Sequence, residues 1–523
     1  MRRSRPPFVL TALAVAAVGL VLLPLAYLAI RAGTGGADAW EVLERRGTAR
    51  LLWNSASLVL GVVVGAVAVG VPLAWLVVRS DLPGRRIWAV AAALPLVIPS
   101  YVSALALLGA FGPRGMLQRL LEEPLGVERL PEIYGYGGAL LALTLSTYPY
   151  VFLLAAAALR SLDPALEEAA QALGQPPREV FRRVTMPTLR PAVGAGGLLV
   201  ALYVLSDFGA VSLMQYDALT RAIYLQYRAL FDRDPAAVLS LVLVALTAIV
   251  LVLEGRTRRG AGFRSTPGSA RAQRPVALGR WRWPALAFCT AVVGLFLAVP
   301  VAVLVYWTVR ASELEIPWSA AAHSLLASAL AAVVAVLAAL PVAFLARRYP
   351  RPWTVGLERA SFAANALPGI VVALALVFFA ARYGGPVYQT LGLLVFAYVV
   401  RFFPQALAGS DSALAAVSPR LEEAARALGR RPLAVAWSVT APLIRPGLLA
   451  GGALVFLSAM KELPATLLLR PIGFDTLATD IWKFTSLGAY SRAAPAALLL
   501  IAVSAPLLYL AAGSRDSELG SPG

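Results

Sequence analysis

The sequence predicts an all-α integral membrane protein of about 12 transmembrane helices, arranged as two six-helix repeats in parallel orientation. Hydrophobic residues make up 59% and charged residues 14% of the 523 positions, and the mean hydropathy is +0.74. These values lie far outside the range of soluble domains. One polar segment, lodged among long apolar runs, occurs twice and indicates a duplicated chain.

Apolar runs long enough to cross a bilayer are interpreted as spans. They cover residues 8–30, 53–78, 87–111, 137–159, 192–214, 236–254, 284–309, 322–346, 361–381, 387–409, 447–469 and 491–511. The first run lacks a clear small-residue cleavage site, which favours a retained anchor over a signal peptide. Leu94-Pro95 and Leu367-Pro368 predict kinks in the two third spans.

The placement of basic residues predicts the orientation. With residue 1 inside, the inside loops and the C-terminal tail carry 29 Lys or Arg, the outside loops 14 and the spans three, which together make 46. This excess predicts that both termini are cytoplasmic. The net charge of +18 is therefore mostly a topology signal, and no nucleic-acid partner is expected.

A linker separates the two repeats. Residues 255–283 are rich in Arg, Gly, Ser and Pro, a composition that predicts a flexible cytoplasmic segment. The first repeat is predicted at 1–254 and the second at 284–523. Because each has six spans, an even number, both have the same orientation.

The duplicated polar segment covers residues 163–191, here called the first elbow, and residues 418–446, the second elbow. From Pro164 to Pro191, 16 of 28 positions are identical to the stretch that begins 255 positions later. Each elbow predicts a short helix, capped by Asp163 or Ser418 and opened by a proline. It is followed by a glycine, Gly174 or Gly429, suited to a left-handed C-terminal cap.

A second short helix is predicted in each elbow. It opens at Pro177 or Pro432 and is expected to end near Pro187 or Pro442. Such a helix–turn–helix is too short and too polar to span a bilayer. It is therefore expected on the cytoplasmic face.

The first helix of each elbow carries an apolar stripe with helical spacing beside two acids. The stripe residues are Leu166, Ala169, Ala170 and Leu173 in one elbow and Leu421, Ala424, Ala425 and Leu428 in the other. Small side chains let such a helix lie deep in a groove of another protein, where Glu167 and Glu168, or Glu422 and Glu423, would pair with a basic rim. The alternative, a helix resting on lipid headgroups, would favour bulky and basic residues.

Glu168-Ala169-Ala170, three residues, Gly174, nine residues and Val184-Thr185-Met186-Pro187 resemble the EAA loop of permease subunits in binding-protein-dependent ABC importers. The stretch from Glu423 to Pro442 matches this loop again, although Met186 and Ala441 stand where the family usually has Leu. The resemblance implies a type I, MetI-like permease, fused from two subunits, in the bacterial inner membrane. It also implies that the elbows dock into ATP-binding subunits, in two copies, and that an extracytoplasmic substrate-binding protein delivers the cargo.

Two further stretches resemble ferric-iron permeases. They are Ser206–Leu213 with Tyr216–Tyr224, and Lys461–Pro471 with Gly473–Thr479. The resemblance implies ferric iron as cargo. Fused thiamine permeases share the same layout and remain the alternative.

Three ionisable residues lie in predicted spans, where charge is costly and indicates a pathway or a partner. Asp207 and Glu462 are 255 positions apart, so pseudo-symmetry would place them across one central cleft. Either they line the translocation path, where carboxylates suit a hard cation, or Lys461 pairs with one of them and holds the halves together. Both alternatives remain open from the sequence.

Other classes of function lack their residues. The single Cys289 and single His323 argue against a metal site or a Cys-His catalytic pair, and no cofactor is expected. Neither lysine, Lys461 or Lys483, follows a phosphate-binding loop, so ATP hydrolysis must occur in a partner. The rival class is an ion-coupled secondary transporter, which would have no reason for two matched elbows.

Overall fold

The computed structural model describes residues 6–34, 40–44, 46–113, 115–126, 131–229, 233–260, 275–311, 313 and 315–516. Within these ranges all regular secondary structure is helical, apart from one isolated bridge between Ser80 and Val276. Helices satisfy their own backbone groups, which lipid cannot do, and so suit the apolar runs. The expected all-α fold is confirmed.

The first half contains twelve helices within the described residues. They are α1 (Phe8–Thr34), α2 (Arg46–Arg79), α3 (Arg85–Ala93), α4 (Ser100–Phe111), α5 (Met116–Leu125), α6 (Tyr136–Arg160), α7 (Pro164–Ala172), α8 (Pro177–Val180), α9 (Met186–Ser206), α10 (Gly209–Leu213), α11 (Leu219–Ala229) and α12 (Arg233–Gly260). A 3₁₀ turn at Leu94–Val97 follows α3, and a π turn at Phe181–Thr185 joins α8 to α9.

The second half repeats this order, except that no helix among its described residues corresponds to α5 and a π turn divides its first helix. Its helices are α13 (Arg282–Val293), α14 (Val299–Val309), α15 (Trp318–Arg348), α16 (Pro352–Phe362), α17 (Gly369–Tyr383), α18 (Leu391–Ala415), α19 (Pro419–Ala427), α20 (Pro432–Val435), α21 (Ala441–Met460), α22 (Pro464–Leu469), α23 (Leu477–Ser486) and α24 (Tyr490–Asp516). A π turn at Gly294–Ala298 makes α13 and α14 continuous, and another at Ala436–Thr440 joins α20 to α21. The remaining turns are 3₁₀, at Gly279–Trp281 and Ala363–Ala366.

Among the described residues, nine helices are long and apolar enough to cross a membrane, or up to eleven if each of two bent pairs is one span. The pairs are Arg85–Val97 with Ser100–Glu122, and Pro352–Ala366 with Gly369–Tyr383. Helix α24 occupies the place of the last predicted span.

The third span of each half had been expected as one kinked helix, at 87–111 and at 361–381. In the structure each of these spans consists of two helices. They bend by 96° and 100°. Each bend follows a 3₁₀ turn and lies at a proline that caps the next helix, Pro99 or Pro368. The kink predicted at Leu367-Pro368 is confirmed. In the first half the bend lies at Pro99 and not at Pro95, because Pro95 stands inside the 3₁₀ turn, where its missing N–H is tolerated.

The predicted spans 192–214 and 447–469 are also interrupted. Helix α9 ends at Ser206 and α21 at Met460, and a short helix follows each break. Asp207 adopts an extended backbone conformation, with ψ of 130°. Both breaks therefore fall at the ionisable residues.

The linker was predicted to be flexible throughout 255–283, and this is wrong at both ends. Helix α12 continues to Gly260. From residue 275 the chain is ordered again, because Val276 donates its N–H to Arg79 O (2.7 Å) and accepts one from Asp81 N (3.1 Å). Residues 261–274 lie outside the described ranges.

Each half sends its first helix across to the other half. Helix α1 packs against α15 and α17, and α14 packs against α4 of the first half. At the second crossing, Trp307 Nε1 donates to Gly109 O (2.9 Å), and the missing side chain of Gly109 makes room for the indole. Small residues at such crossings let helices approach closely without a hydrophobic driving force from water. The two halves therefore form one interlocked body.

Candidate functional site

The first helix of each elbow is built as the sequence predicted. Asp163 Oδ1 accepts from Ala165 N (2.9 Å), and Ser418 Oγ accepts from Arg420 N (3.4 Å). Gly174 and Gly429 both have φ of 80°, in the left-handed region. At the first elbow the turn closes with Gln175 N donating to Ala170 O (3.1 Å). The caps and the glycine turns are confirmed.

The two acids of the first elbow have different surroundings. Glu167 is buried and forms an ion pair with Arg79, at the end of α2, and Thr185 Oγ1 donates to Glu167 Oε1 (2.6 Å). Thr185 ends the π turn that begins α9. One carboxylate therefore ties α7 to both α2 and α9.

The second elbow repeats this arrangement. Glu422 is buried, accepts from Arg348 Nη2 (2.8 Å) at the end of α15, and accepts from Thr440 Oγ1 (3.1 Å). The expectation that Glu167 and Glu422 would pair with a partner's basic rim is therefore wrong. Their charge is already neutralised inside the chain, and burial makes them inaccessible.

Most of the other residues singled out in the first helix of each elbow face outwards. Glu168 and Glu423 are exposed, as are Ala169 and Ala424. The leucines of the stripe are also exposed. The exposed fractions are 54% for Leu166 and 84% for Leu173 in the first elbow, and 49% for Leu421 and 84% for Leu428 in the second. Ala170 is half-buried and Ala425 is buried. Each elbow thus presents an apolar surface beside one free carboxylate.

The second short helix does not end near Pro187 or Pro442, as had been predicted. The N–H of Met186 bonds to Phe181 O, five residues back, and the chain continues through Pro187 into α9. The same wide turn precedes Pro442. The π turn places each proline in the first turn of the following α-helix, where its missing N–H is tolerated. Each elbow is therefore continuous with a membrane helix.

The far end of α9 carries Asp207. Its carboxylate is buried and accepts hydrogen bonds from Ser100 Oγ and from the backbone N–H groups of Ala210 (3.0 Å) and Val211 (3.4 Å). Its backbone carbonyl accepts from Thr220 Oγ1 (2.6 Å). The hydrogen-bond donors to Asp207 are thus neutral.

The far end of α21 carries Glu462, which is also buried. Arg401 Nε, from α18, donates to Glu462 Oε2 (2.9 Å), and Arg401 Nη1 donates to Leu367 O (3.2 Å) at the bend of the third span. Lys461 Nζ instead donates to Leu96 O of the first half (2.9 Å). The hypothesis that Lys461 pairs with Asp207 or Glu462 is therefore wrong. Lys461 still joins the halves, but through a carbonyl.

Arg401 was missed by the sequence reasoning. It lies in the predicted span 387–409, so the rule that singled out Asp207 also applied to it. The counterpart of Arg401 in the first repeat is Ser146, 255 positions earlier. Ser100 and Gly369 also correspond, because each is the first residue of the helix after the bend. A side chain at Gly369 would collide with Glu462 and Arg401. The two acids are thus held differently.

One other group belongs to this region. The hydroxyl of Tyr101, on the helix that begins at Ser100, is buried and has no hydrogen-bond partner among the described residues. In the described ranges no group of three or more His, Cys, Asp or Glu could hold a metal ion. Elsewhere, His323 stacks on Phe474 and contacts Asp475 O, and Cys289 is buried in the core.

Comparison with known proteins finds the same duplication. The family model described as "Binding-protein-dependent transport system inner membrane component" matches residues 48–256 and 331–514. The Fe(3+)-transport system permease protein FbpB 2 of Haemophilus influenzae is 34% identical over 517 residues, covering 97% of this chain and 98% of that protein. Both elbows lie within the matched segments.

Two further relatives are more distant or match a shorter stretch. The ferric transport system permease protein FbpB of Actinobacillus pleuropneumoniae is 23% identical over 487 residues, 87% of this chain and 70% of that protein. The thiamine transport system permease protein ThiP of Brucella abortus is 29% identical over 330 residues, 60% of this chain and 59% of that protein.

Proposed function

Since the chain belongs to the binding-protein-dependent transport system inner membrane components and is an ABC importer permease, we propose that it carries ferric iron into the cytoplasm. ATP hydrolysis in two separate subunits would drive the transport, and an external binding protein would deliver the iron. The relative matched over 97% of this chain supports iron as the cargo, because it is named an Fe(3+)-transport system permease protein.

The ATP-binding subunits dock on the elbows. The exposed leucines of the two elbows support this assignment. Large apolar side chains that are grouped on an exposed surface mark a site of protein–protein contact. Glu168 and Glu423 lie beside these leucines and supply one free charge to each contact. Two matched elbows imply two docking events.

Motion of an elbow passes directly to the interior. Each elbow continues without a break through its π turn into α9 or α21, and these helices end at Asp207 and at Lys461-Glu462. Buried ion pairs also tie the elbows to α2 and α15. When ATP brings the two ATP-binding subunits together beneath the membrane, the elbows move with them. The helix ends then shift, and the cleft between them opens to the other side of the membrane.

The cargo crosses between those helix ends. Among the described residues no cation bonds to the Asp207 carboxylate and no group bonds to the Tyr101 hydroxyl, so both can accept a new contact when the halves part. Hard oxygen donors of this kind suit a cation as hard as Fe(III). Binding there must be weak, because a tightly held ion would not leave the path.

Uptake by cells that contain the whole system tests the cargo. We expect radiolabelled iron to accumulate in an ATP-dependent manner and unlabelled thiamine not to compete. Thiamine uptake without iron uptake would identify thiamine as the cargo, the alternative that the similarity to ThiP supports. Uptake that persists without ATP or an ATP-binding subunit would instead indicate a secondary transporter.

Charge reversal tests the docking surface. We expect Glu168→Lys with Glu423→Lys to lower uptake and ATPase co-purification about ten-fold, because reversing charges at an interface places like charges together. Membrane insertion and melting temperature should not change, since both carboxylates are exposed. A double variant that transports at the wild-type rate would refute the assignment of the elbows.

A further inference from the structure

An open apolar groove lies beside the first elbow. Its volume is about 670 Å³, and its lining comes from the end of α2, from the π turn of the elbow and from the segment that leads into α13. The aromatic and sulfur-containing side chains in it are Trp75, Phe181, Met186, Trp281 and Phe288. The rings of Trp75 and Phe181 meet edge to face, with centroids 6.2 Å apart.

The chain itself holds this groove open. Val276 pairs through its backbone with Arg79 and Asp81, and Leu278 N donates to Asp81 Oδ1 (2.9 Å). These bonds fix the 275–283 segment across the end of α2 and complete one wall. Arg79 is also the residue that anchors Glu167, so the groove and the elbow share one support.

Exposed arginines are the sequence neighbours of two residues that line the groove. Arg280 and Arg282 stand on either side of Trp281, and Arg182 and Arg183 follow Phe181. Glu179 pairs with Arg183 (2.5 Å) and lies 3.8 Å from Arg182. No carboxylate pairs with Arg280 or Arg282 within the described part of the chain. Asp81, which accepts from Leu278 N, is the second carboxylate here, so four arginines against two carboxylates leave this rim positively charged.

The second half does not repeat these residues. The counterparts of Phe181, Arg182 and Arg183, 255 positions later, are Ala436, Trp437 and Ser438. The fixed segment that forms the outer wall belongs to the junction between the halves and so occurs beside the first elbow. The second elbow thus lacks the counterparts of Phe181 and of both arginines that follow it.

We propose that this groove binds one anionic phospholipid of the cytoplasmic leaflet, with its acyl chain along the apolar lining and its phosphate on Arg280 and Arg282. The volume lies within the range of about 300–1,000 Å³ that is usual for small-molecule pockets. Basic pockets between spans on the cytoplasmic side select anionic headgroups. Trp281 and Trp283, both exposed, have the amphipathic rings that favour the headgroup level. The proposal does not depend on the cargo.

Native mass spectrometry of the full-length protein tests this site. The protein is extracted from vesicles with equal amounts of phosphatidylglycerol and phosphatidylcholine, and we expect one phosphatidylglycerol to be retained selectively. In Arg280→Gln with Arg282→Gln, its affinity should fall about thirty-fold, from the usual contribution of two basic residues at an anionic surface. Ala277→Trp, which fills the groove without changing its charge, should also abolish retention.

Two matched variants serve as controls. Arg420→Gln with Arg431→Gln removes the same charge from exposed positions on the second elbow, and Ala287→Trp adds the same bulk to an exposed face of α13 outside the groove. Both should retain the lipid as the wild type does. Equal retention of phosphatidylcholine, no retained lipid in the wild type, or undiminished retention in either groove variant would overturn the proposal. Melting temperatures identify variants that fail to fold.

Discussion

Adjacent glutamates in each elbow have opposite surroundings, because successive side chains on a helix point about 100° apart. Glu167 and Glu422 face the arginines at the ends of α2 and α15. Glu168 and Glu423 are exposed. In each pair, the first glutamate thus holds the elbow in place and the second is available to a partner.

Replacing the buried acid should destabilise the protein. We expect Glu167→Gln to lower the free energy of unfolding by on the order of 3 kcal/mol, because a buried cation loses its counter-charge. Glu168→Gln should leave stability unchanged, since its carboxylate is exposed. Thermal melting of the two variants in the same detergent makes the comparison, and equal melting temperatures would contradict it.

The interior acids should also respond differently. In Asp207→Asn the amide oxygen can still accept from the N–H groups of Ala210 and Val211 while the amide NH₂ donates to Ser100 Oγ, so we expect nearly unchanged stability and lower iron uptake. Glu462→Gln leaves Arg401 without its counter-charge, so we expect a lower melting temperature, restored when Arg401→Met is added. The added Lys461→Met should not restore it, because Lys461 bonds to Leu96 O.

Melting temperature and uptake, measured together on these variants, separate the two roles. Rescue by Lys461→Met instead of Arg401→Met would show that the ion pair is assigned wrongly. Normal uptake in Asp207→Asn would remove Asp207 from the proposed path.

At the scale of elements, each elbow, its π turn and the following membrane helix form one continuous unit. The glycine turn sets the angle between α7 and α8, and between α19 and α20. A side chain added at Gly174 or Gly429 would meet nothing within 4 Å, so conformation and not space is the constraint.

A β-branched residue at this turn should therefore strain the elbow alone. We expect Gly174→Val to cost about 1–3 kcal/mol of local strain, because a bulky residue with φ near 80° is disfavoured. Co-purification of the ATP-binding subunit should fall, whereas Gly174→Asn should retain it, since Asn tolerates the left-handed region. Equal loss in both variants would indicate contact with the glycine surface itself.

At the scale of the whole molecule, a helix long and apolar enough to cross a membrane, Ala436–Met460, separates the second elbow from the loop after α22, so we expect the elbows and that loop on opposite sides of the membrane. Leu173 on the first elbow and Ile472 in that loop are 84% and 91% exposed. The predicted orientation, with both termini in the cytoplasm, places Leu173 inside and Ile472 outside.

Single-cysteine labelling tests that orientation. In a Cys289→Ala background, we expect a membrane-impermeant maleimide to label Ile472→Cys in intact cells or spheroplasts. Leu173→Cys should be labelled only after permeabilisation. The reverse pattern would invert the topology, and with it the assignment of the elbows to the cytoplasm.

Local patterns in the sequence determined much of this molecule. The apolar runs specify helices because lipid offers backbone groups no partner, and the Asp163, Ser418, Gly174 and Gly429 positions specify the caps and turns of the elbows. These features depend on residues within one or two helical turns, so the sequence alone sufficed for them.

Tertiary structure decided which groups meet. Arg79 reaches Glu167 across 88 positions and Arg401 reaches Glu462 across 61, and both distances depend on how separate helices pack. The bends at Pro99 and Pro368, the seating of Val276 on α2 and the use of a carbonyl by Lys461 have the same origin. A charge in an apolar span shows that a partner must exist, because its burial is costly. The identity of that partner depends on the packed bundle.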